Sequence, residues 1–461
     1  MSGASATEVI ETDVLVIGGG LAALRAAISA RKTGVRVLIA VKRLLGRSGS
    51  SSLTTGGYAA ACPDLNPQDD PDLHYADTIV GGAYVNDRAL VRALVDDAPA
   101  RLAELWEIGA PFRKRDGHYH LSPSGDHSQA RVLVPENMRG GDMTLPMREA
   151  ALALGIDVIE NCTIADLLTD GDRVAGAIGV ARKNRVVTIR AGATILAAGG
   201  AGQLFAITSN PADVCGGGYA LALRAGARLR DMEFIQFYPW RLIRPFKSSR
   251  VPIQPSTFSL GGRLYNSRGE RFMERYDPDR KESTTRDLSA RGIFDQIRAG
   301  HGVEGGVILD VSQVPDEQFR YENSKVVNLL EPKKIDYRAI ELVVAPEAHF
   351  FMGGVLIDEH GCSDLRGLYA AGENAGGVHG GNRLNSNAVP DTQVFGHRAG
   401  VEAARFAQGH RAAAPDLRPA ERLTERLARL CSDSRDVSVE FPALHEELKQ
   451  AMTLGIGIVR S

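Results

Sequence analysis

Three glycine-marked segments carry the chemistry that this sequence can do. Gly18-Gly19-Gly20-Leu21-Ala22-Ala23 has the G-x-G-x-x-A spacing that suits a pyrophosphate. Its first glycine makes a tight turn, and its second lets backbone N–H groups reach phosphates held at a helix start. The small last residue lets that helix pack on its strand. The plainer alternative is an ordinary tight turn between strand and helix. Two similar segments lie far along the chain, Thr194-Ile-Leu-Ala-Ala-Gly-Gly200 and Gly367-Leu-Tyr-Ala-Ala-Gly-Glu373. Three strand ends of this kind can meet one dinucleotide, with Glu373 accepting hydrogen bonds from its hydroxyls. For Glu373 the alternative is a helix-start carboxylate favoured by the helix dipole. The second strand ends Ala40-Val41-Lys42, without the ribose-binding acid of an NAD site.

Elements must place these residues. Apolar periodicity predicts a strand over Thr12 to Ile17, an Ala-rich helix over Leu21 to Thr33 and a strand over Val35 to Ala40, a βαβ unit. A Ser/Thr/Gly-rich loop, Gly46 to Gly57, follows. Helices are predicted from Asn86 to Glu107 and from Met143 to Leu154. Ile156 to Ile159, Asp166 to Leu168, Val174 to Val180 and Val186 to Arg190 read as a meander of short strands. Ala193 to Ala198 reads as a further strand, and Tyr219 to Ala225 as a helix. From about Phe237 to Pro346 the composition shifts towards Pro and Arg, with a hairpin predicted at Asn266 to Gly269, which marks an inserted domain. A strand before Gly372 and a helix over Asp391 to Gln408 follow. Two short helices with an Asp/Ser-rich joint fill Pro419 to Ser461.

The chain has 461 residues, too many for one core, and implies two or three domains. Its 50 glycines come in clusters, as where backbone approaches a ligand closely, and not as a spread linker. A formal charge of -2 with no basic stripe argues against nucleic acid. The 5 cysteines are isolated and no CxxC occurs, so neither a disulfide framework nor a metal or iron–sulfur site is expected; scattered thiols fit a reducing cytoplasm. The polar, acidic N-terminus lacks the order of a signal peptide, and no run of apolar residues is long enough to span a membrane.

Longer matches in a fixed order add to this. Asp231-Met-Glu-Phe-Ile-Gln-Phe-Tyr-Pro239, Asn266-Ser-Arg-Gly-Glu-Arg-Phe-Met-Glu-Arg-Tyr276, Thr285-Arg-Asp287, His349-Phe-Phe-Met-Gly-Gly354 and His379-Gly-Gly-Asn-Arg-Leu-Asn-Ser-Asn387 resemble the flavoprotein family of succinate dehydrogenase, fumarate reductase, L-aspartate oxidase and adenylylsulfate reductase. The tail Glu447 to Arg460 resembles the family's first C-terminal helix. The resemblance covers nearly the whole chain. It implies an α/β fold: a Rossmann-like FAD-binding domain with an inserted α+β capping domain and a short, truncated C-terminal helical segment. The expected boundaries are 1–236 and 347–410 for the two parts of the FAD-binding domain, 237–346 for the cap and 411–461 for the tail.

The resemblance also implies roles. FAD would be held by Gly18, Gly20, Leu21 and Ala22, by Lys42 and Arg43, by Ser48, Gly49, Thr55, Gly56 and Gly57, and by Ala198, Gly199, Gly200, Glu373, Asn387 and Ala388. In such enzymes substrate binds between cap and flavin; Arg286 is the proton shuttle, and His349 and Arg383 anchor a carboxylate. A guanidinium fork suits Arg383 to that task, and His349 adds a donor. Arginine is too basic to yield its proton easily, so the Arg286 role rests on resemblance alone. Simpler roles exist: an Arg286–Asp287 pair, a satisfied interdomain histidine at 349, and an Arg383 contact to flavin phosphate or a helix end.

Departures from the family pattern matter as much. Gln236-Phe-Tyr-Pro239 puts Tyr238 where a carboxylate-binding His is usual, and the Thr-Glu pair that follows aligns roughly with Gln254 and Pro255. Gly216-Gly217-Gly218 lacks the family's central acid. The loop from Gly46 lacks the His that carries covalent flavin in respiratory members, so FAD is expected to be non-covalent. The sequence ends where relatives continue into a helical domain that docks an iron–sulfur partner. The leading expectation is α,β-dehydrogenation of a small succinate-, fumarate- or L-aspartate-like carboxylate, or the reverse, by hydride transfer at flavin N5. The alternative is a flavin-binding electron-transfer or structural subunit with that chemistry altered or lost.

Overall fold

The computed structural model describes residues 8–122, 126–246, 251–410, 418–432 and 440–460. The N-terminal segment before residue 8 and the Asp/Ser-rich joint at 433–439 lie outside the described residues. The chain forms two compact units: Met1–Gln203, Asn210–Ile235 and Phe351–Glu440 make one, and Leu204–Ser209, Gln236–Phe350 and Phe441–Ser461 the other.

The first unit is built on a seven-stranded sheet. At its centre lies β1 (Glu8–Ile17), whose Val14 to Ile17 are at most 5% exposed, as a parallel strand covered on both faces must be. β2 (Val37–Val41) and the strand Arg185–Leu196 flank β1 in parallel, and Leu368–Ala370 pairs in parallel with the latter. The register sets Ile17 beside Leu196 and Leu196 beside Ala370, so the carboxyl ends of three strands distant in sequence lie in one row. Gly20 caps α1 (Leu21–Lys32), buried from Leu21 to Ala30. Its alanines meet glycines of the helix Ala388–Gly409. A Cβ on Gly400 would sit 2.4 Å from the Ala26 carbonyl, and one on Gly396 2.8 Å from that of Ala22. Small residues on both helices are what let them pack so closely.

Several elements differ from the sequence reading. Arg185–Leu196 is one strand, not two; the small run Ala191-Gly192-Ala193 keeps extended pairing where a break was read. Asp157–Glu160 pairs in parallel with β2 and stands apart from the antiparallel strands Thr163–Asp170 and Arg173–Ala181. A helix, Pro71–Gly81, occupies a stretch where none was predicted, capped by the Asp70 carboxylate on the Leu73 N–H at 2.8 Å.

The second unit holds a four-stranded sheet in the order Ile235–Arg244, Leu342–Phe351, Val307–Asp310, Arg263–Tyr265. Trp240, Phe258, Phe272, Ile293 and Phe319 fill its core. The hairpin predicted at Asn266 to Gly269 does not form. The Asn266 side chain accepts from the N–H groups of Arg268 and Glu270, which closes a tight turn, and Arg263–Tyr265 pairs antiparallel with Val307–Asp310 instead. Helix Arg286–Arg298 begins at Thr285, whose hydroxyl accepts from Leu288 N–H at 3.4 Å. The last two helices divide between the units: in Arg418–Ser432, Ala420 packs on Leu168, Ile178 and Val186, whereas Thr453 of Glu440–Gly455 accepts from Ala206 N–H.

One glycine ties the first turn to the sheet. Gly18 has φ +137°, and a Cβ there would lie 2.1 Å from the Ala197 carbonyl oxygen. Both strain and backbone overlap follow from any side chain. Gly18→Ala is expected to lower stability by roughly 2–4 kcal/mol. Gly217→Ala, with nothing within 4 Å, should leave it unchanged. Thermal melting of the two variants checks this, and equal melting temperatures would contradict it.

Candidate active site

The row of strand ends forms a cradle in the first unit. Gly18 N–H donates to Ala40 O at 3.0 Å, which bends the chain out of β1 towards the start of α1. A Cβ on Gly20 would meet Ser51 Oγ at 2.7 Å, and that hydroxyl accepts from the Leu21 N–H at 3.2 Å. The first amide of α1 therefore already faces an oxygen, as a phosphate-binding helix start does. Ala22 and Leu21 are both buried behind this turn. Beyond the second strand end, Ala198 N–H donates to Asn374 Oδ1 at 2.8 Å. Gly199 follows at φ +77°, and a Cβ on Gly200 would fall 2.1 Å from Glu373 Oε1. The segments around Gly18, Gly200 and Glu373 thus belong to one neighbourhood.

Other expected cofactor residues divide into those that shape loops and those that offer backbone. Lys42 Nζ lies 3.2 Å from Cys215 Sγ and 3.3 Å from the Asp213 carbonyl. The Arg43 carbonyl accepts from Asn161 N–H. Ser48 Oγ donates to the Leu44 carbonyl at 2.8 Å and accepts from Leu44 N–H, so its hydroxyl closes its own loop. Gly49 has φ +77° and precedes a short helix, Ser50–Leu53. After Thr55, Gly56 N–H donates to Thr54 Oγ1, and Gly57 fits only without a Cβ against Leu133 O at 2.6 Å. Asn387 points inward: Oδ1 meets His74 Nε2 at 2.9 Å and Nδ2 donates to Thr78 Oγ1. What that position offers a ligand is the backbone at the start of the helix that opens with Ala388.

Glu373 is the charged centre of this cradle. Its Oε1 accepts from Phe351 N–H at 3.0 Å, and the Gly200 N–H also donates to the carboxylate. Burial pushes its pKa up to about 7, against the pull of those amides and of Arg383. Arg383 is 5% exposed and lies on a loop carried by the helix joint at 82–86: Gly381 N–H donates to Gly82 O at 2.8 Å, and Asn86 Nδ2 to Val378 O at 2.9 Å. Hydroxyl donors from a ligand would favour the charged carboxylate. Space kept by glycines, an amide-bearing helix start and a buried acid together fit the pyrophosphate and sugar hydroxyls of FAD.

A second cluster lies wholly within the second unit. The Arg286 guanidinium carbon stands 5.6 Å from the centroid of the Tyr238 ring, and the His349 ring lies 5.8 Å from that ring at 48°. Asp287 pairs with Arg291 one turn further along the helix. Tyr238 is 8% exposed, and its hydroxyl donates to the Ile253 carbonyl at 2.7 Å. Burial raises its pKa, so it stays a phenol. At this position, where a carboxylate-binding His is usual in the family, the phenol proton goes to a backbone carbonyl. Beneath these residues Arg241 pairs with the buried Glu347 at 3.7 Å and donates to Thr208 O.

Four supporting residues escaped the sequence reading. Ser209 Oγ contacts His349 Nδ1 at 2.9 Å, Asn374 holds Ala198, Asn86 holds the Arg383 loop and Ser51 meets the start of α1. Only the Asn86 joint had a signal: Asp70-Pro71 is a helix start, and a second helix from residue 88 forces a joint between them.

Glu373 should make stability depend on pH. Its folded pKa is raised, so its stabilising contribution is complete below the ordinary value of 4.5 and is lost as pH rises to about 7. The ligand-free protein is expected to lose about 3 kcal/mol over that window from this group. Glu373→Gln should flatten the loss and melt no lower than the parent at pH about 8, while its FAD affinity falls about tenfold. Melting curves against pH check this; the same slope in both proteins would contradict it.

The FAD binding domain family matches residues 13–389 of the chain. The chain is 42% identical to a fumarate reductase (CoM/CoB) subunit of Methanothermobacter marburgensis over 459 residues, covering 99% of this chain and 83% of that one. It is 39% identical to the L-aspartate oxidase of Caulobacter vibrioides over 399 residues, 85% of this chain and 76% of that one. Among solved structures it resembles Sdh1 of Mycobacterium smegmatis at 34% identity with a TM-score of 0.86, covering 98% and 78%. It likewise resembles the FrdA chain of Escherichia coli quinol fumarate reductase at 27% identity with a TM-score of 0.87, covering 98% and 80%. The chain thus belongs to the FAD-binding flavoprotein family, as an FAD-dependent oxidoreductase of the fumarate reductase and L-aspartate oxidase type.

Proposed function

We propose that the chain dehydrogenates a small carboxylate between its α and β carbons, or runs the reverse reduction, with Arg286 moving the proton. The observation that carries this is the grouping of Arg286 and His349 around one buried ring, Tyr238, in the same unit. FAD, when bound, supplies the site that accepts or gives the hydride at N5. In dehydrogenation the second hydrogen leaves the neighbouring carbon as a proton, taken up by Arg286; in reduction Arg286 gives it. His349 and Arg383 anchor a carboxylate. Ser209 suits this: its Oγ lies 2.9 Å from His349 Nδ1, and a neutral imidazole that accepts there carries its proton on Nε2. FAD is held without a covalent bond, since no His lies in the loop 46–57.

Substrate choice follows from what is left for a second carboxylate. With its proton committed to Ile253 O, Tyr238 offers such a group neither charge nor a donor. We therefore rank an acid with one anchored carboxylate beside the succinate- and L-aspartate-like C4 acids. The relative at 42% identity is named as one subunit of its enzyme, which supports a partner protein that exchanges electrons with the flavin. Among the described residues no helix is long and apolar enough to cross a membrane, and no cluster of three ligating side chains could hold a metal. A cytoplasmic place rests on the scattered cysteines, four of which are free in the described residues.

Kinetics on the purified holoprotein test the reading. Arg286→Gln should keep its FAD and lose turnover by at least about a hundredfold, because the residue acts on substrate and not on cofactor. Arg383→Ala should also raise KM. Plain succinate or fumarate should bind about ten- to a hundredfold more weakly than to a relative that keeps a charged contact for the second carboxylate, the cost of that one missing contact. Full turnover in Arg286→Gln, or succinate bound as tightly as by such a relative, would overturn it.

A further inference from the structure

We infer that the aromatic ring of Tyr238, and not its hydroxyl, positions Arg286 for proton transfer through a cation–π contact; this rests on the role proposed above for Arg286. A guanidinium on three rotatable methylenes needs something to hold it at one place, because a proton shuttle fails when its donor atoms wander. Arg286 occupies the first position of the helix Arg286–Arg298, which fixes the point from which its side chain starts. The face of the Tyr238 ring lies 5.6 Å from the guanidinium carbon, inside the ~6 Å over which an aromatic quadrupole attracts a cation.

The ring is itself immobilised from three sides. Its hydroxyl donates to Ile253 O at 2.7 Å, and this donation also leaves the phenol oxygen and ring richer in electrons. Trp240 meets it edge to face at 5.7 Å and 86°. Trp240 Nε1 donates in turn to Ser289 Oγ at 2.8 Å, and Ser289 is buried one turn beyond Arg286 on the same helix. Ring and helix are thereby clamped together through Trp240, so the distance from the ring to the start of the Arg286 side chain is set by packing. The His349 ring completes the surround at 5.8 Å. Tyr238 is on this account a positioning residue that acts through Arg286, at a place where the family resemblance leads one to look for a group that touches substrate.

The test replaces Tyr238 in the FAD-loaded full chain by Phe and then by mono-, di- and trifluorophenylalanine. These rings have nearly the same shape and a progressively weaker quadrupole. With the carboxylic acid that the parent turns over fastest, kcat should fall stepwise by about two- to thirtyfold over the series, with KM and flavin content unchanged. Tyr238→Leu should fall at least as far, and the unfluorinated Phe should stand nearest the parent. A substrate-free arm repeats the series on Arg286→Met and follows melting: the stepwise loss of Tm seen with Arg286 present should vanish. Flat kcat and flat Tm would overturn the ring contact, as would Tm steps that persist in Arg286→Met. Tm steps beside a flat kcat would overturn the shuttle role of Arg286, and with it this inference.

Discussion

Parallel pairing of three distant segments holds this molecule to its purpose. Residues 17, 196 and 370 end adjacent strands, and the register that sets Ile17 against Leu196 and Leu196 against Ala370 is what gathers Gly18, Ala198 and Glu373 into one place. Contacts of such separation demand large loop closures, so they must be secured by burial on both faces of the sheet. The helix packing follows from the same demand. α1 and Ala388–Gly409 lie close because Gly396 and Gly400 accept the carbonyls of Ala22 and Ala26 where a side chain would not fit. A shift of one strand by one residue would turn its core face outward and scatter the glycines.

Glu373 shows what the cradle costs. A carboxyl that is buried and has a pKa of about 7 is a poor choice for stability alone. It is held by two backbone amides and by the field of Arg383, and a ligand's hydroxyls would complete what those leave short. The same logic separates Tyr238 from Glu373. The phenol donates to Ile253 O, whereas the acid, raised by burial to a pKa of about 7, gains from any further donor that a ligand brings. Buried polar groups that are satisfied build structure, and those left partly satisfied mark where something binds.

The sequence made the first turn, its helix and the flanking strands legible because glycine spacing and apolar runs report on local geometry. It read the strand end at 200 and the acid at 373 for the same reason. It failed where strand pairing or a side-chain bond, neither of them visible in residue spacing, decided the geometry. Gly192 suggests a break, yet the strand runs through it because pairing with β1 continues on either side. Asn266 to Gly269 looks like a hairpin, but the side chain of Asn266 binds its own backbone and sends the chain elsewhere. The family resemblance puts Asn387 and Ser48 at the cofactor; their side chains bond His74 and Thr78, and Leu44, which no spacing in the sequence foretells. Ser209 had no local signal, since its value lies in meeting His349 across 140 residues.

The proposed oxidation or reduction of a small carboxylate can be seen on the flavin itself. Its most direct test is a half-reaction. The purified yellow protein is mixed without air with mono- and dicarboxylic acids one at a time, and the visible flavin band is followed; dithionite-reduced protein is mixed in parallel with the corresponding unsaturated acids. At least one saturated acid should bleach the band, or one unsaturated acid restore it, within the turnover time of the enzyme. A fully flavinated protein whose band no acid changes in either direction would contradict it.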